Sequence, residues 1–150
     1  MKDNYYNSIV IIEKLHRAFL ETLKIYLNKL RIFDITNIQS IILYNIGKNK
    51  MSVGDLTARG CYLGSNVTYN LRKMVENWYL FQSRVNHDRR SSEISLTDKG
   101  VKMYDKINDL INDQAQALQE YGVNDDMIND INLTISRIEK YLKEKGELLI

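Results

Sequence analysis

Proline is absent from this 150-residue chain, cysteine and tryptophan occur once each, and histidine occurs twice. With no proline and no low-complexity stretch, no linker divides the sequence. A lone cysteine, Cys61, cannot form an internal disulfide, which suits a reducing compartment. One cysteine and two histidines, His16 and His87, offer no zinc-ligand spacing, and neither histidine has a neighbour that suggests a catalytic triad. The seven glycines are scattered at predicted helix ends and turns, so no glycine-rich loop is available to cradle a phosphate. No apolar run approaches the roughly 18 residues that mark a membrane-spanning helix; residues 8–12 and 40–46 are the longest and are short. The first residues, Met1-Lys2-Asp3-Asn4, are polar, and no cleavable signal pattern follows them. These absences predict a cytoplasmic protein that is not an enzyme, with no membrane partner, metal or cofactor.

What is present is a chain of ordinary domain size, 44% hydrophobic and 27% charged, able to bury a core. Its formal charge of +2 is close to neutral, but the charge is unevenly placed. Between Arg59 and Arg90 six basic residues (Arg59, Arg72, Lys73, Arg84, Arg89 and Arg90) face only Glu76 and Asp88. Between Asp105 and Asp130 a single Lys106 stands against seven carboxylates. A basic middle beside an acidic C-terminal part is what a surface turned toward phosphate produces.

Hydrophobic spacing predicts the elements. Ile9, Ile12, His16, Phe19, Leu23, Tyr26 and Leu30 recur at steps of three and four, the seam of a long helix. Asp34 or Thr36 can cap a second helix with Ile38, Ile41, Ile42 and Ile46 on its apolar face, and Gly47 ends it. Ser52 precedes a short capped helix that stops near Gly60. After the turn Cys61-Tyr62-Leu63-Gly64, Ser65 reads as the N-cap of a helix from Asn66 to about Trp78, its inner face formed by Val67, Leu71, Met74 or Val75, and Trp78. Two short helices joined by a tight glycine-containing turn make a helix-turn-helix. The period then drops to two in residues 80–86 and 92–96, around a polar tip at residues 87–91, which predicts a hairpin. Thr97 and Asp98 can cap a long helix carrying Met103, Ile107, Leu110, Ile111, Leu118 and Tyr121, which Gly122 stops. A last helix from Asp125 or Asp126 bears Ile128, Ile131, Ile135, Ile138 and Leu142, a heptad seam that wants a partner helix. The expected fold is mainly α with a small β-hairpin wing. A winged helix-turn-helix head spans about residues 34–97, and dimerisation helices span about 4–32 and 98–146.

The second helix of the motif carries nucleic-acid chemistry on its outer face. Arg72 can make a bidentate contact to guanine, and Asn66 can pair with adenine. Ser65, Thr68 and Tyr69 offer shorter donors to bases or phosphate, and Lys73 suits a phosphate. At the hairpin tip Arg90 can enter the minor groove, Asp88 can orient its guanidinium, and Arg89 can reach the backbone. Each residue alone fits an ordinary solvated surface; together, on one helix face and an adjoining tip, they point to double-stranded DNA.

The run Asp88-Arg89-Arg90-Ser91, followed by Leu96-Thr97-Asp98-Lys99-Gly100, resembles the wing signature of MarR-family transcriptional regulators. Ser52-Val53-Gly54-Asp55-Leu56 and Ser65-Asn66-Val67-Thr68-Tyr69-Asn70-Leu71 are similar to that family's helix-turn-helix pattern. Residues 57–67 further resemble an alphaproteobacterial, LdtR-like branch of it. The resemblance runs along nearly the whole chain, in the order of six helices and a wing. It implies a homodimer that binds pseudo-palindromic operators, as repressor or activator, and is released by small molecules or oxidation.

By that resemblance a small aromatic or phenolic effector lodges between the dimerisation helices and the head, where His16, Phe19, Phe33 and Tyr44 are candidate lining residues. Ordinary packing explains each of the four as well. Cys61, with Arg59 nearby, is a candidate redox site, although a small buried residue in a tight turn is the plainer reading. The competing function is a protein-interaction adaptor that keeps the winged-helix fold without binding DNA.

Overall fold

Capping side chains and glycine stops set the frame of several helices in this protein. A computed structural model describes residues 1–60, 64–83 and 92–146, without the side chain of Ser65. Helix α1 spans Lys2–Lys29 and α2 spans Asn37–Ile46. Of the two candidate caps for α2, Thr36 is the one used. Its hydroxyl accepts from the Gln39 amide and the Gln39 side chain accepts from the Thr36 amide, both at 3.1 Å, a reciprocal capping box. Gly47 closes α2 at φ +69°, a conformation that favours a residue without Cβ.

Strand β1 is the short Met51–Ser52, α3 is Val53–Gly60 and α4 is Gly64–Glu76. Strands β2 (Leu80–Ser83) and β3 (Glu93–Leu96) follow, then α5 (Asp98–Glu120) and α6 (Asp125–Lys145). The fold class read from the sequence holds: six helices and one small antiparallel sheet among the described residues. The sheet has three strands rather than the two of a simple hairpin, in the order β1-β3-β2. Leu80 pairs with Leu96 and Ser83 with Glu93, while Met51 pairs with Ile94. Two residues are too few for an alternating pattern, so β1 leaves no periodic signal in the sequence.

Two compact units are present, Met1–Asn108 and Asp109–Ile150. In the first, Leu23 and Leu27 of α1, Ile42, Leu43 and Ile46 of α2, Leu56 of α3, and Val67, Leu71 and Met74 of α4 are buried. Leu80, Ile94, Met103 and Ile107 complete this core. Ile38, expected on the apolar face of α2, is instead 47% exposed. The helix turns Gln39 and Ser40 inward, and both are satisfied: Ser40 Oγ donates to the Thr36 carbonyl at 2.9 Å and Gln39 Nε2 donates to Asn70 Oδ1 at 3.2 Å. The N-terminal part of the α1 seam is also open, with Ile9 exposed and Ile12 half-buried.

Ser52 caps α3 as expected, its hydroxyl accepting from the Asp55 amide at 3.0 Å. Thr97 caps α5 by accepting from the Gly100 amide at 3.0 Å. In the second unit Gly122, at φ +97°, ends α5, and Asn124 caps α6 by accepting from the Met127 amide. None of the 21 residues of α6 is buried.

Candidate nucleic-acid interface

Helix α4 divides into two faces. Val67, Leu71 and Met74 point into the core and are at most 2% exposed. Asn66, Thr68, Tyr69 and Arg72 lie on the outer face and are exposed, and Lys73 is half-exposed at its edge. Five of the six sequence-predicted residues of this helix therefore share one surface. Ser65 sits inside the first turn of α4 rather than at its N-cap, because the helix already begins at Gly64.

The outer face is electrostatically organised. The Arg72 guanidinium lies 5.6 Å from the centre of the Tyr69 ring, within cation–π range. Arg72 Nε is 3.9 Å from one Glu76 oxygen, and Lys73 Nζ donates to the other at 3.1 Å. The pairing of Glu76 with both cations is legible in its spacing, three residues after Lys73 and four after Arg72. Reading Glu76 only as a subtraction from local charge misses it. Asn70 was missed as well. It donates to the Asn66 carbonyl at 2.8 Å and accepts from Gln39, so it ties the start of the outer face to α2.

The far end of α4 is fixed by a hydrogen-bonded turn. The Trp78 amide donates to the Val75 carbonyl and the Tyr79 amide to Met74, the Schellman pattern, with Trp78 at φ +63°. This corrects the expected inner face of α4. Trp78 does not continue the apolar stripe; it is 71% exposed, and Tyr79 and Leu80 enter the core in its place. A residue in the left-handed conformation reverses the chain, so helical spacing no longer says which way its side chain points.

Behind that turn lies a polar clamp. Asp34 accepts from the Tyr79 hydroxyl and from Lys99 Nζ, and Lys99 also donates to the Asn77 carbonyl at 2.8 Å. Asn77 Nδ2 donates back to the Asp34 carbonyl at 2.8 Å. Partial burial pushes the Asp34 carboxyl up, but the hydrogen bonds from Lys99 and Tyr79 and the Lys99 charge outweigh it and leave the group below its ordinary value. Burial, and then the Asp34 carboxylate, push the Tyr79 hydroxyl well above its usual range. Gly100 belongs to the same junction: a Cβ there would collide with the Tyr79 carbonyl oxygen. The clamp joins the segment before α2, the turn after α4 and the first turn of α5. It holds the recognition-helix candidate from its C-terminal end.

The effector candidates come from different elements, His16 and Phe19 from α1, Phe33 from the segment after it and Tyr44 from α2. Phe33 is 77% exposed and lines a 680 Å³ cavity with Arg31, Asp34, Lys99, Lys102 and Lys106. His16 is exposed on α1 and Phe19 is half-buried there. Tyr44 stacks on Tyr104 at 4.8 Å between ring centres and donates to Asn108 Oδ1 at 3.0 Å. Cys61 and the tip residues Asp88, Arg89 and Arg90 lie outside the described residues. Among the described residues no group of His, Cys, Asp and Glu is placed to hold a metal ion, and no helix is long and apolar enough to cross a membrane.

Comparison with known proteins bears on the same region. Residues 35–100 match the family model of a winged helix DNA-binding domain. The exopolysaccharide II synthesis transcriptional activator ExpG of Rhizobium meliloti is 34% identical over 99 residues, 66% of this chain. The match covers 51% of ExpG, so this chain spans about half the length of that relative. The Staphylococcus aureus MarR solved with salicylate and kanamycin superimposes with a TM-score of 0.74 at 20% identity, covering 96% of this chain and 93% of that one. Streptococcus pneumoniae FabT solved in complex with DNA gives 0.71 at 16% identity, covering 93% and 98%. At those identities the two structures are likenesses of fold.

Proposed function

We propose that this chain, which matches a winged helix DNA-binding domain over residues 35–100 and shares the fold of solved MarR structures, is a DNA-binding transcriptional regulator of that family that acts as a homodimer on a pseudo-palindromic operator. The observation that carries this reading is the outer face of α4. Asn66, Thr68, Tyr69, Arg72 and Lys73 are presented together over a buried stripe, with the helix tied to α2 at its middle and clamped just past its C-terminal end. A recognition helix reads bases from the major groove, about 12 Å wide, where a guanidinium matches the two acceptors of guanine. Arg72 is the residue assigned to that contact, Asn66 to adenine, and Lys73 to phosphate. The wing residues Asp88, Arg89 and Arg90 are assigned to the adjacent minor groove and backbone from their sequence alone.

Dimerisation is supported by α6, whose seam of Ile128, Ile131, Ile135, Ile138 and Leu142 follows steps of three and four and is unburied in the single chain. A two-fold pair would set its recognition helices about 34–36 Å apart, one turn of duplex. An effector site is supported by the 680 Å³ cavity at Phe33. The exposed Phe33 ring and the cations Arg31, Lys102 and Lys106 suit an aromatic molecule with a negative charge. Salicylate is therefore the first probe to titrate.

The test is binding of the purified protein to duplexes selected from a random-sequence library, beside scrambled controls. Arg72→Ala should cost about 1–3 kcal/mol on the selected duplex and relax preference at one position per half-site. Arg90→Ala should weaken selected and scrambled duplexes more evenly and lessen the salt dependence. Unchanged affinity in both variants refutes the assignment. A protein that ignores every duplex at low ionic strength is the adaptor, not the regulator.

A further inference from the structure

We propose that Glu76 sets the specificity of the α4 surface, as a carboxylate that competes with DNA phosphate for Arg72 and Lys73 and so holds down binding to unrelated sequence. The proposal rests on the DNA-binding reading above and adds to it a residue whose charge is the opposite of what a phosphate-binding surface needs.

Glu76 is a poor choice for stabilising its own helix. It is the last residue of α4, where the negative end of the helix dipole favours Lys73 and disfavours a carboxylate. Its pair with Arg72 runs cation first and anion four residues later, the less favourable order. All three side chains are between 41% and 65% exposed, and exposed pairs of this kind contribute little to stability. The consequence of the carboxylate therefore falls on what approaches the helix. With one oxygen toward Arg72 and the other on Lys73, it leaves these three groups with a single net positive charge where two would otherwise meet the backbone.

Binding to unrelated duplex draws almost wholly on such charges, through release of counterions from phosphate. A phosphate reaching both cations must approach the carboxylate between them. A base-edge contact escapes most of that cost. Arg72 exchanges the weaker 3.9 Å contact for the neutral acceptors of guanine, so that only Lys73 meets a phosphate beside the carboxylate. Glu76 thus penalises phosphate-only binding more than sequence-directed binding.

The experiment compares the wild-type protein, Glu76→Gln and Glu76→Asp on the duplex that the wild type selects from a random library and on a scrambled duplex, each at two salt concentrations. Glu76→Gln should bind the scrambled duplex about tenfold more tightly, steepen its salt slope by about one, and lower the ratio of selected to scrambled affinity at least about threefold. Glu76→Asp keeps the charge and should keep the ratio within about twofold of wild type. Thermal unfolding of both variants should stay at the wild-type midpoint, since the pair is exposed. Equal shifts on both duplexes, no shift at all, or a loss of ratio in Glu76→Asp as large as in Glu76→Gln overturns the role of Glu76 and leaves the DNA-binding reading standing. A wild-type protein that binds neither duplex removes both.

Discussion

The winged head and the last helix draw on the same apolar side chains and reach opposite ends. In the head, Leu56, Leu71, Met74, Leu80 and Ile94 come from α3, α4, β2 and β3, and each is at most 2% exposed. In α6, Ile128, Ile131 and Leu142 remain 38% exposed or more, although their spacing is as regular as any in the chain. Periodicity states that a face needs covering; it does not state whether the same chain supplies the cover. The head covers its own stripes. No residue of α6 is buried, which is why its seam is the candidate for assembly under the proposed function.

Four measurements would break or sharpen that contrast. The largest effect belongs to the head core: Leu71→Ala should cost about 3 kcal/mol in denaturant unfolding, because its neighbours come from several elements and cannot all close the cavity. A cost below about 1 kcal/mol would mean that the head is not a self-sufficient core. Next is Gly100→Ala, which should cost about 2 kcal/mol, since the added carbon meets main chain at the Tyr79 carbonyl rather than a movable side chain. A melting curve superimposable on wild type would show that α5 can shift away from β2 without loss.

Asp34→Asn should cost about 1–2 kcal/mol at neutral pH by weakening charge-assisted hydrogen bonds from Tyr79 and Lys99. The acid response fixes the sign. The folded carboxyl lies below its ordinary value of 3.8, so its contribution is complete above that value and is lost as pH falls through the folded one. Below about pH 4 the wild type should therefore lose stability faster than Asp34→Asn, and parallel pH curves would count against the clamp. The smallest effect on the head itself should come from the double variant Ile131→Ser, Ile135→Ser. Hydrogen exchange should find the head core still protected, while sedimentation shows the mass falling from two chains to one. A variant with unchanged mass would remove α6 from the interface.

Much of the fold was legible because its signals are local. The Ser52 and Thr97 caps, the Gly47 and Gly122 stops and the two-faced pattern of α4 depend on residues within one turn of each other. The misreadings share a cause of the opposite kind. Trp78 looked like core because it falls at helical spacing, but the helix has already ended two residues earlier. Ile38 looked buried because it is apolar, but the Gln39–Asn70 bond is consistent with α2 turning another face inward. The clamp around Asp34 joins residues 43 to 65 positions apart, and no window on the sequence brings them together. Glu76 lies between the two cases: its spacing was visible, and its geometry with Arg72 and Lys73 was not.

By itself, the sequence determined the Ser52 and Thr97 caps and the Gly47 and Gly122 stops, which face of α4 is polar, and that the C-terminal seam is apolar, since these signals are set by near neighbours. Only the tertiary structure decided that Tyr79 replaces Trp78 in the core and that Asp34 and Lys99 lock the end of α4. Those outcomes depend on which distant groups compete for the same space and the same hydrogen bonds, and that competition exists only once the chain has folded.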